Sequence, residues 1–246
     1  VTILGIGSNT LIRDGGIEGV TIKLSSKFSN IKLLEQNVIE VGAATLDRKI
    51  ANFATENSIG GLEFLSCIPG SLGGAITMNS GCYGGVISDA LVSLKTINFE
   101  GKEKEILKKD INFTYRASDI SRDQVIISAK LKGFTSKKDL ILLKQNQLIE
   151  QKKNSQPGKI KTCGSTFKNP KNEKAWELIK DSSCNNLSVG SAKISKKHCN
   201  FFVNEGNASS SDIEQLIDEV RAGVLKKTGI CLELELKLIG KKNKNV

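Results

Sequence analysis

Two glycine-rich stretches and three polar side chains are where residue type and spacing in this chain could do chemistry. "GLEFLSCIPGSLGGAITMNSGCYGG", residues 61–85, holds seven glycines and one charge, Glu63, although the chain carries 36 Lys and Arg. Glycine lets a backbone approach a ligand closely and adopt positive φ, so that N–H groups can point at acceptors. A tight neutral loop at "PGSLGGA" would grip a flat or phosphorylated cofactor through backbone dipoles, without cations. "LGIGSN" near the N-terminus could grip another part of the same ligand. It is not a Rossmann fingerprint, because the third glycine is missing and no obvious helix follows. Either stretch alone is equally well explained as a turn.

Arg116 in "FTYRAS" is one of only five arginines and lies between aromatic and small residues. A guanidinium there suits a bidentate grip on a carboxylate, with a surface ion pair to Asp110 or Asp119 as the plain alternative. In "ICLELELKLIG", strict alternation turns Ile230, Leu232, Leu234, Leu236 and Leu238 to one face and Glu233, Glu235 and Lys237 to the other. A solvated sheet face would look the same. Ser165 follows Gly164 in "CGSTFKNP", where it could be a turn hydroxyl.

The elements that must position these residues are legible from periodicity. An apolar strand, a glycine turn and a return strand at Val20–Leu24 open the chain, and a strand follows at Val38–Val41. Leu46, Ile50, Phe53 and Ala54 mark one face of a helix. "LVSLKTINF" and "VIISAKLKGF" are further strands, with a turn at "EGKEK". Ser136 and Asp139 make a capping-box-like start for a helix to about Gln151, which "NSQPG" ends. The spacing thus predicts an N-terminal domain over 1–135, a connecting helix and linker over 136–157, and a C-terminal domain over 158–246. In that last part a short helix lies around Trp176–Ile179 and a strand over Asn200–Val203. A helix through Ile213, Leu216, Ile217, Val220 and Val224 is closed by Gly229.

Composition narrows the function. The 246 residues are 39% hydrophobic, with a net charge of +10 and a pI near 9.3. Base-reading surfaces favour Arg and single-strand platforms favour aromatics. Here aromatics are 5%, and the lysines are scattered apart from the tail "KKNKNV". A phosphorylated small ligand therefore suits the charge better than nucleic acid. No apolar run approaches the roughly 20 residues that span a bilayer, and "VTILGIGSNT" lacks a signal peptide's basic start. No membrane association and a cytoplasmic location are expected. The six cysteines form no CxxC pair, so no metal is expected and the thiols should be reduced and buried. The one histidine, His198, is expected to be structural.

In order along the chain, "LGIGSNTLIRDGGIEG", the glycine stretch, "FTYRAS", "CGSTFKNP", "KKHCNFFVNEGNAS" and "GICLELELKLIG" resemble the UDP-N-acetylenolpyruvoylglucosamine reductases. The interval between "YRAS" and "CGSTFKNP" looks like that family's more compact subtype. The resemblance implies an α+β chain with an FAD-binding domain of the kind found in vanillyl-alcohol oxidase and p-cresol methylhydroxylase, followed by a smaller α+β substrate domain. It implies non-covalent FAD, NADPH as hydride donor and the enolpyruvyl sugar nucleotide as substrate; a monomer is expected. Gly7, Ser8 and Asn9 would belong to one FAD loop, and Gly70, Ser71, Gly73 and Gly74 to the other. Arg116 matches the catalytic arginine, Ser165 the proton donor and Glu235 the acid that shares the developing charge. Lys168, Asn169 and Lys237 would meet the substrate. Lys237 stands where the family is expected to place an arginine, and "DSSCNNLSVGSA" replaces a more glycine-rich segment. The family also carries several tens of residues ahead of "LGIGSN". A flavin oxidase of the same superfamily acting on another substrate, and a nucleotide- or nucleic-acid-binding protein, stay open as alternatives.

Overall fold

The computed structural model describes residues 1–158 and 160–243, so the last three residues of "KKNKNV" lie outside the described residues. The chain divides into two compact units. The first comprises Ile3–Ile6 and Ile22–Lys152; the second comprises Val1–Thr2, Gly7–Thr21 and the chain from Lys153 on. In chain order the main elements are β1 (Thr10–Ile12), β2 (Ile31–Glu35), β3 (Val38–Gly42), α1 (Asp47–Glu56), α2 (Leu72–Thr77), β4 (Leu91–Asn98), β5 (Glu103–Leu107), β6 (Gln124–Lys132) and α3 (Lys138–Ser155). They continue as β7 (Lys161–Ser165), α4 (Ala175–Asp181), β8 (Ser188–Val189), β9 (Ala192–Ile194), β10 (Phe201–Asn204), α5 (Ser210–Thr228) and β11 (Lys237–Ile239).

The first unit is built on an antiparallel sheet in the order β5-β4-β6-β3-β2. Period-2 alternation sets its register: Ala129 of β6 lies opposite Val41 of β3 and Leu94 of β4, and all three are buried. A one-residue slip would turn this apolar row to solvent. Ile50 and Ala54 of α1 join the same core, but Leu46 precedes the helix and is exposed. Two expectations for α3 fail. It extends to Ser155, and Ser136 does not cap it: the carbonyl of Lys137 accepts the first N–H groups, while the Ser136 N–H bonds Ser58.

The second unit has an antiparallel sheet in the order β7-β10-β9-β8, covered by α4 and α5. Leu216, Ile217, Val220 and Val224 of α5 pack with Phe167 and Phe202. The strand expected over 230–240 is only partly one. Leu232 and Leu236 are buried and Glu233 and Lys237 exposed, as alternation requires. Regular pairing, however, is confined to a Leu234–Phe167 bridge and to β11. The segment changes partners midway: the Glu235 N–H bonds the Thr166 carbonyl, and the Lys237 N–H bonds the Asn9 carbonyl.

β11 pairs in parallel with β1, setting Lys237, Leu238 and Ile239 opposite Thr10, Leu11 and Ile12. This is why residues 7–21 lie in the second unit. The two residues after β1 dock on α5. Arg13 forks onto the Glu214 carboxylate, with a closest approach of 2.9 Å. Asp14 accepts from the N–H groups of Ser210 and Ser211 at 2.9 and 3.0 Å. A capping box between Ser209 and Asp212 satisfies the next donor, and Gly229 closes the helix at φ 75°. The helix-end N–H groups hold the Asp14 carboxyl down, at about 2.

Because its folded pKa lies below the unfolded value, Asp14 stabilises the fold above the usual carboxylate range, and that stabilisation is lost as pH falls toward 2. Replacing Asp14 with alanine should cost about 1 kcal/mol at neutral pH, the ordinary worth of a helix cap. Urea melts should show the gap from wild type closing as the pH is taken below about 4. A gap that persists unchanged at acid pH would mean that the lost stability does not come from the ionised carboxylate.

Candidate functional site

In the first unit the glycine stretch is pinned from below by the backbone after β3. The Leu72 N–H bonds the Thr45 carbonyl and the Gly73 N–H bonds the Ala43 carbonyl, each at 2.9 Å; the Asp47 N–H bonds the Gly70 carbonyl at 3.1 Å. Gly70 is required for close approach: a Cβ there would lie 2.5 Å from Asp47 Oδ2. A Cβ at Gly73 would meet Ala43 at 3.3 Å, so that face is already packed, whereas one at Gly74 meets nothing. Ser71 is buried and its Oγ sits against Gly5. Beneath the loop, Asp47 is fully buried, and neither its carboxyl oxygens nor the Thr45 hydroxyl has a hydrogen-bond partner among the described residues. Burial raises the Asp47 carboxyl well above its ordinary value, favouring its neutral form.

Arg116 belongs to the same neighbourhood of this unit. It sits in the turn between two short paired strands, Phe113–Thr114 and Ala117–Ser118, at φ 59°, a left-handed conformation uncommon for a residue with a side chain. Its guanidinium donates to the Gly81 carbonyl at 2.9 Å and lies 4.8 Å from the centre of the Tyr115 ring. The turn is tied to α2 by Ser118 Oγ, which donates to the Thr77 carbonyl at 3.0 Å. Asn79 Nδ2 adds a bond to the Thr114 carbonyl at 2.9 Å. Arg116 is therefore brought to the end of the glycine stretch by its own hairpin. It is half-buried.

In the second unit β7 carries Ser165 at its end. Its ladder with β10 is regular at Thr162–Val203, breaks, and resumes at Ser165–Phe201. Gly164 makes the break possible with φ +80°, which a side chain would strain. Segment 166–168 then lies between two neighbours. Asn200 holds one side: its carbonyl accepts the Thr166 N–H, and its amide bonds both backbone groups of Phe167. Residues 233–235 hold the other, through the Thr166 carbonyl and the Lys168 N–H. Loop 7–9 completes the array, with Asn9 Nδ2 donating to the Glu235 carbonyl at 3.0 Å. Ser165, Glu235, Gly7, Ser8 and Asn9 thus gather in one part of this unit.

Lys168 faces Glu233 at 3.4 Å. Asn169 Oδ1 accepts the N–H of Ala175 and so anchors α4. Lys237 is exposed on β11. His198 lies 4.8 Å from the Phe201 ring and accepts the Asn200 N–H, and burial lowers its pKa, which suits a neutral structural imidazole. All six cysteines are free, with Cys231 exposed where burial was expected. Asn200 went unnoticed in the sequence; its one signal is an amide ahead of the apolar run "FFV" that turns out to be buried.

An FAD cofactor can be tested against these residues within each unit. In the first unit, a glycine stretch free of Lys and Arg with an open face at Gly74 is the kind of cradle such a group needs; in the second unit, a Cβ at Gly7 also meets nothing. The residues fit. Residues 1–106 match the FAD binding domain family, and residues 156–239 match the UDP-N-acetylenolpyruvoylglucosamine reductase C-terminal domain. An FAD-binding domain followed by this second domain defines a flavoprotein of that reductase class.

The relatives narrow this to one family. The UDP-N-acetylenolpyruvoylglucosamine reductase of Pelagibacter ubique is 48% identical over 245 residues, covering 97% of this chain and 80% of the relative. That of Wolbachia pipientis wMel is 43% identical over 241 residues, covering 98% and 82%. The crystal structure of the Thermus caldophilus reductase matches at 32% identity with a TM-score of 0.87, covering 97% of this chain and 85% of that one. The chain belongs to the UDP-N-acetylenolpyruvoylglucosamine reductase family.

Gly74 separates folding from ligand binding better than Gly73, whose Cβ would press on Ala43. Gly74→Leu should melt within a few degrees of wild type when flavin-free, because leucine is the better helix former. It should purify with markedly less flavin per chain, read from the visible absorbance. Full flavin occupancy in the variant would remove α2 from the cofactor cradle.

Proposed function

We infer that the chain performs the reaction for which its family is named, reducing the enolpyruvyl group of UDP-N-acetylenolpyruvoylglucosamine to give UDP-N-acetylmuramate, in peptidoglycan precursor synthesis. The observation that carries this is the match of both domains, in order, to that family. When bound, FAD supplies hydride transfer from NADPH to the substrate's double bond. The chain's own residues must then hold the substrate carboxylate, offset the charge that grows on it, and deliver a proton to the neighbouring carbon.

Arg116 suits the first task. Its guanidinium is oriented by the Gly81 carbonyl and by its own turn, so little rotamer freedom is lost on gripping a carboxylate. Glu235 shares the developing charge from a backbone fixed on both sides, by Thr166 and Asn9. Ser165 delivers the proton from the end of β7, placed there by the break at Gly164. A serine hydroxyl is a weak acid, so a bound water or a lysine must polarise it. Lys168, Asn169 and Lys237 contact the sugar nucleotide. Gly7, Ser8, Asn9, Gly70, Ser71, Gly73 and Gly74 serve FAD. The protein acts as a cytoplasmic monomer, apart from membranes and nucleic acid. No described helix is long and apolar enough to cross a membrane, and no described cluster of side chains could hold a metal ion.

The roles separate kinetically. In Ser165→Ala, NADPH should bleach the flavin at close to the normal rate. Reoxidation by the enolpyruvyl substrate should slow by roughly 10²–10⁴, the usual worth of a positioned general acid. Arg116→Lys and Glu235→Gln should slow mainly that second step. Stopped-flow absorbance follows each half. Slower flavin reduction with normal reoxidation in Ser165→Ala would move that residue out of the proton-donor role. Acid precipitation should also release the yellow chromophore into the supernatant, since neither glycine loop contains a histidine to tether it; flavin kept in the pellet would show a covalent link.

A further inference from the structure

Asn200 is a polar side chain buried to 3% exposure. Its Oδ1 accepts the Phe167 N–H at 2.9 Å, and its Nδ2 donates to the Phe167 carbonyl at 2.8 Å. These are the two bonds that a neighbouring strand's backbone would make, supplied instead by a side chain. They fall just past Ser165, where the β7–β10 ladder has already broken and resumed. The Asn200 carbonyl adds a third bond, accepting the Thr166 N–H at 2.8 Å, while the Asn200 N–H is held by His198 Nδ1 at 3.3 Å.

On its far side, the clamped segment carries residues 233–235. Phe167 bridges Leu234, the Thr166 carbonyl accepts the Glu235 N–H at 2.9 Å, and the Lys168 N–H bonds the Glu233 carbonyl at 2.8 Å. Ser165 immediately precedes the clamped residues, and Glu235 hangs from them by its own backbone. Below them the Phe167 ring is fully buried and edge-on to Phe202 at 5.8 Å, so the segment is fixed in depth by packing and laterally by Asn200.

We infer that Asn200 is a positioning residue for the reductive step, setting where the Ser165 hydroxyl and the Glu235 carboxyl stand by clamping the backbone between them. The inference rests on the roles given above to Ser165 and Glu235. Alanine at 200 keeps the Thr166 bond, which is backbone, and deletes both Phe167 bonds. An Asp side chain restores them only when protonated, because the neutral acid can donate to the carbonyl while accepting the N–H.

The test uses Asn200→Ala and Asn200→Asp beside Ser165→Ala. By hydrogen exchange on the flavin-free protein, the Phe167 amide should exchange at least about tenfold faster in Asn200→Ala, with α5 amides unchanged. In the loaded protein, NADPH should bleach the flavin normally in both variants. Reoxidation by substrate should slow by about 10- to 100-fold in Asn200→Ala, the scale of a displacement near 1 Å. In Asn200→Asp it should recover as pH is lowered, and it should do so even if the alanine variant proves too unstable to use. Normal reoxidation in a folded variant, equal slowing of both halves, or an Asp variant without acid recovery would overturn the inference. If Ser165→Ala also reoxidises normally, the proton-donor role itself has failed; if only the Asn200 variants do, that role stands and the clamp is structural.

Discussion

The second unit depends on a backbone array in which distant parts of the chain lie side by side. Asn200, residues 166–168, residues 233–235 and the start of β1 exchange N–H and carbonyl groups in turn. β1 and β11 close it with a parallel pair that joins residues near the two ends of the chain. Such pairing costs loop-closure entropy and needs side-chain support. Arg13 and Asp14 provide it by docking on the first turns of α5. Remove that docking, and Gly7–Asn9 loses the support that holds it beside Glu235.

In the first unit the corresponding constraint is the turn after β3. The carbonyls of Ala43 and Thr45 take the N–H groups of Gly73 and Leu72, so the glycine stretch is shaped by the protein before any ligand arrives. That preorganisation explains a window without Lys or Arg in a basic chain. Packing forbids a side chain at Gly70, open space at Gly74 admits a ligand, and a lysine beside either would be misplaced. Beneath it lies the buried Asp47 carboxyl, without a hydrogen-bond partner among the described residues, a cost that the surrounding packing must absorb.

Much of this was legible in the sequence. Alternation gave β3, β4 and β6, and the apolar spacing of α5 with Gly229 gave that helix its extent. The glycine stretch, "FTYRAS" and "CGSTFKNP" pointed to the family. What escaped was long-range. Alternation over 230–240 could not reveal that the segment changes partners midway, because each partner sits far away in the chain. The "IRDGG" run reads locally as a glycine turn, and nothing near it in sequence shows that Arg13 and Asp14 dock on α5. Likewise, Ser136 and Asp139 had the spacing of a cap, while the box that forms is Ser209 with Asp212. Local patterns cannot show which of several plausible caps the tertiary structure will use. Asn200 was invisible for the same reason: a buried amide announces itself only once its backbone partner is known.

The central claim is that this chain reduces an enolpyruvyl sugar nucleotide with a flavin. An anaerobic titration tests it most directly. Purified protein reduced with one equivalent of NADPH should recover its full visible flavin absorbance on addition of one equivalent of UDP-N-acetylenolpyruvoylglucosamine, with UDP-N-acetylmuramate formed in equal amount. Protein that takes electrons from NADPH, stays reduced with that substrate and recovers only when oxygen is admitted would contradict the account and point to a flavin oxidase.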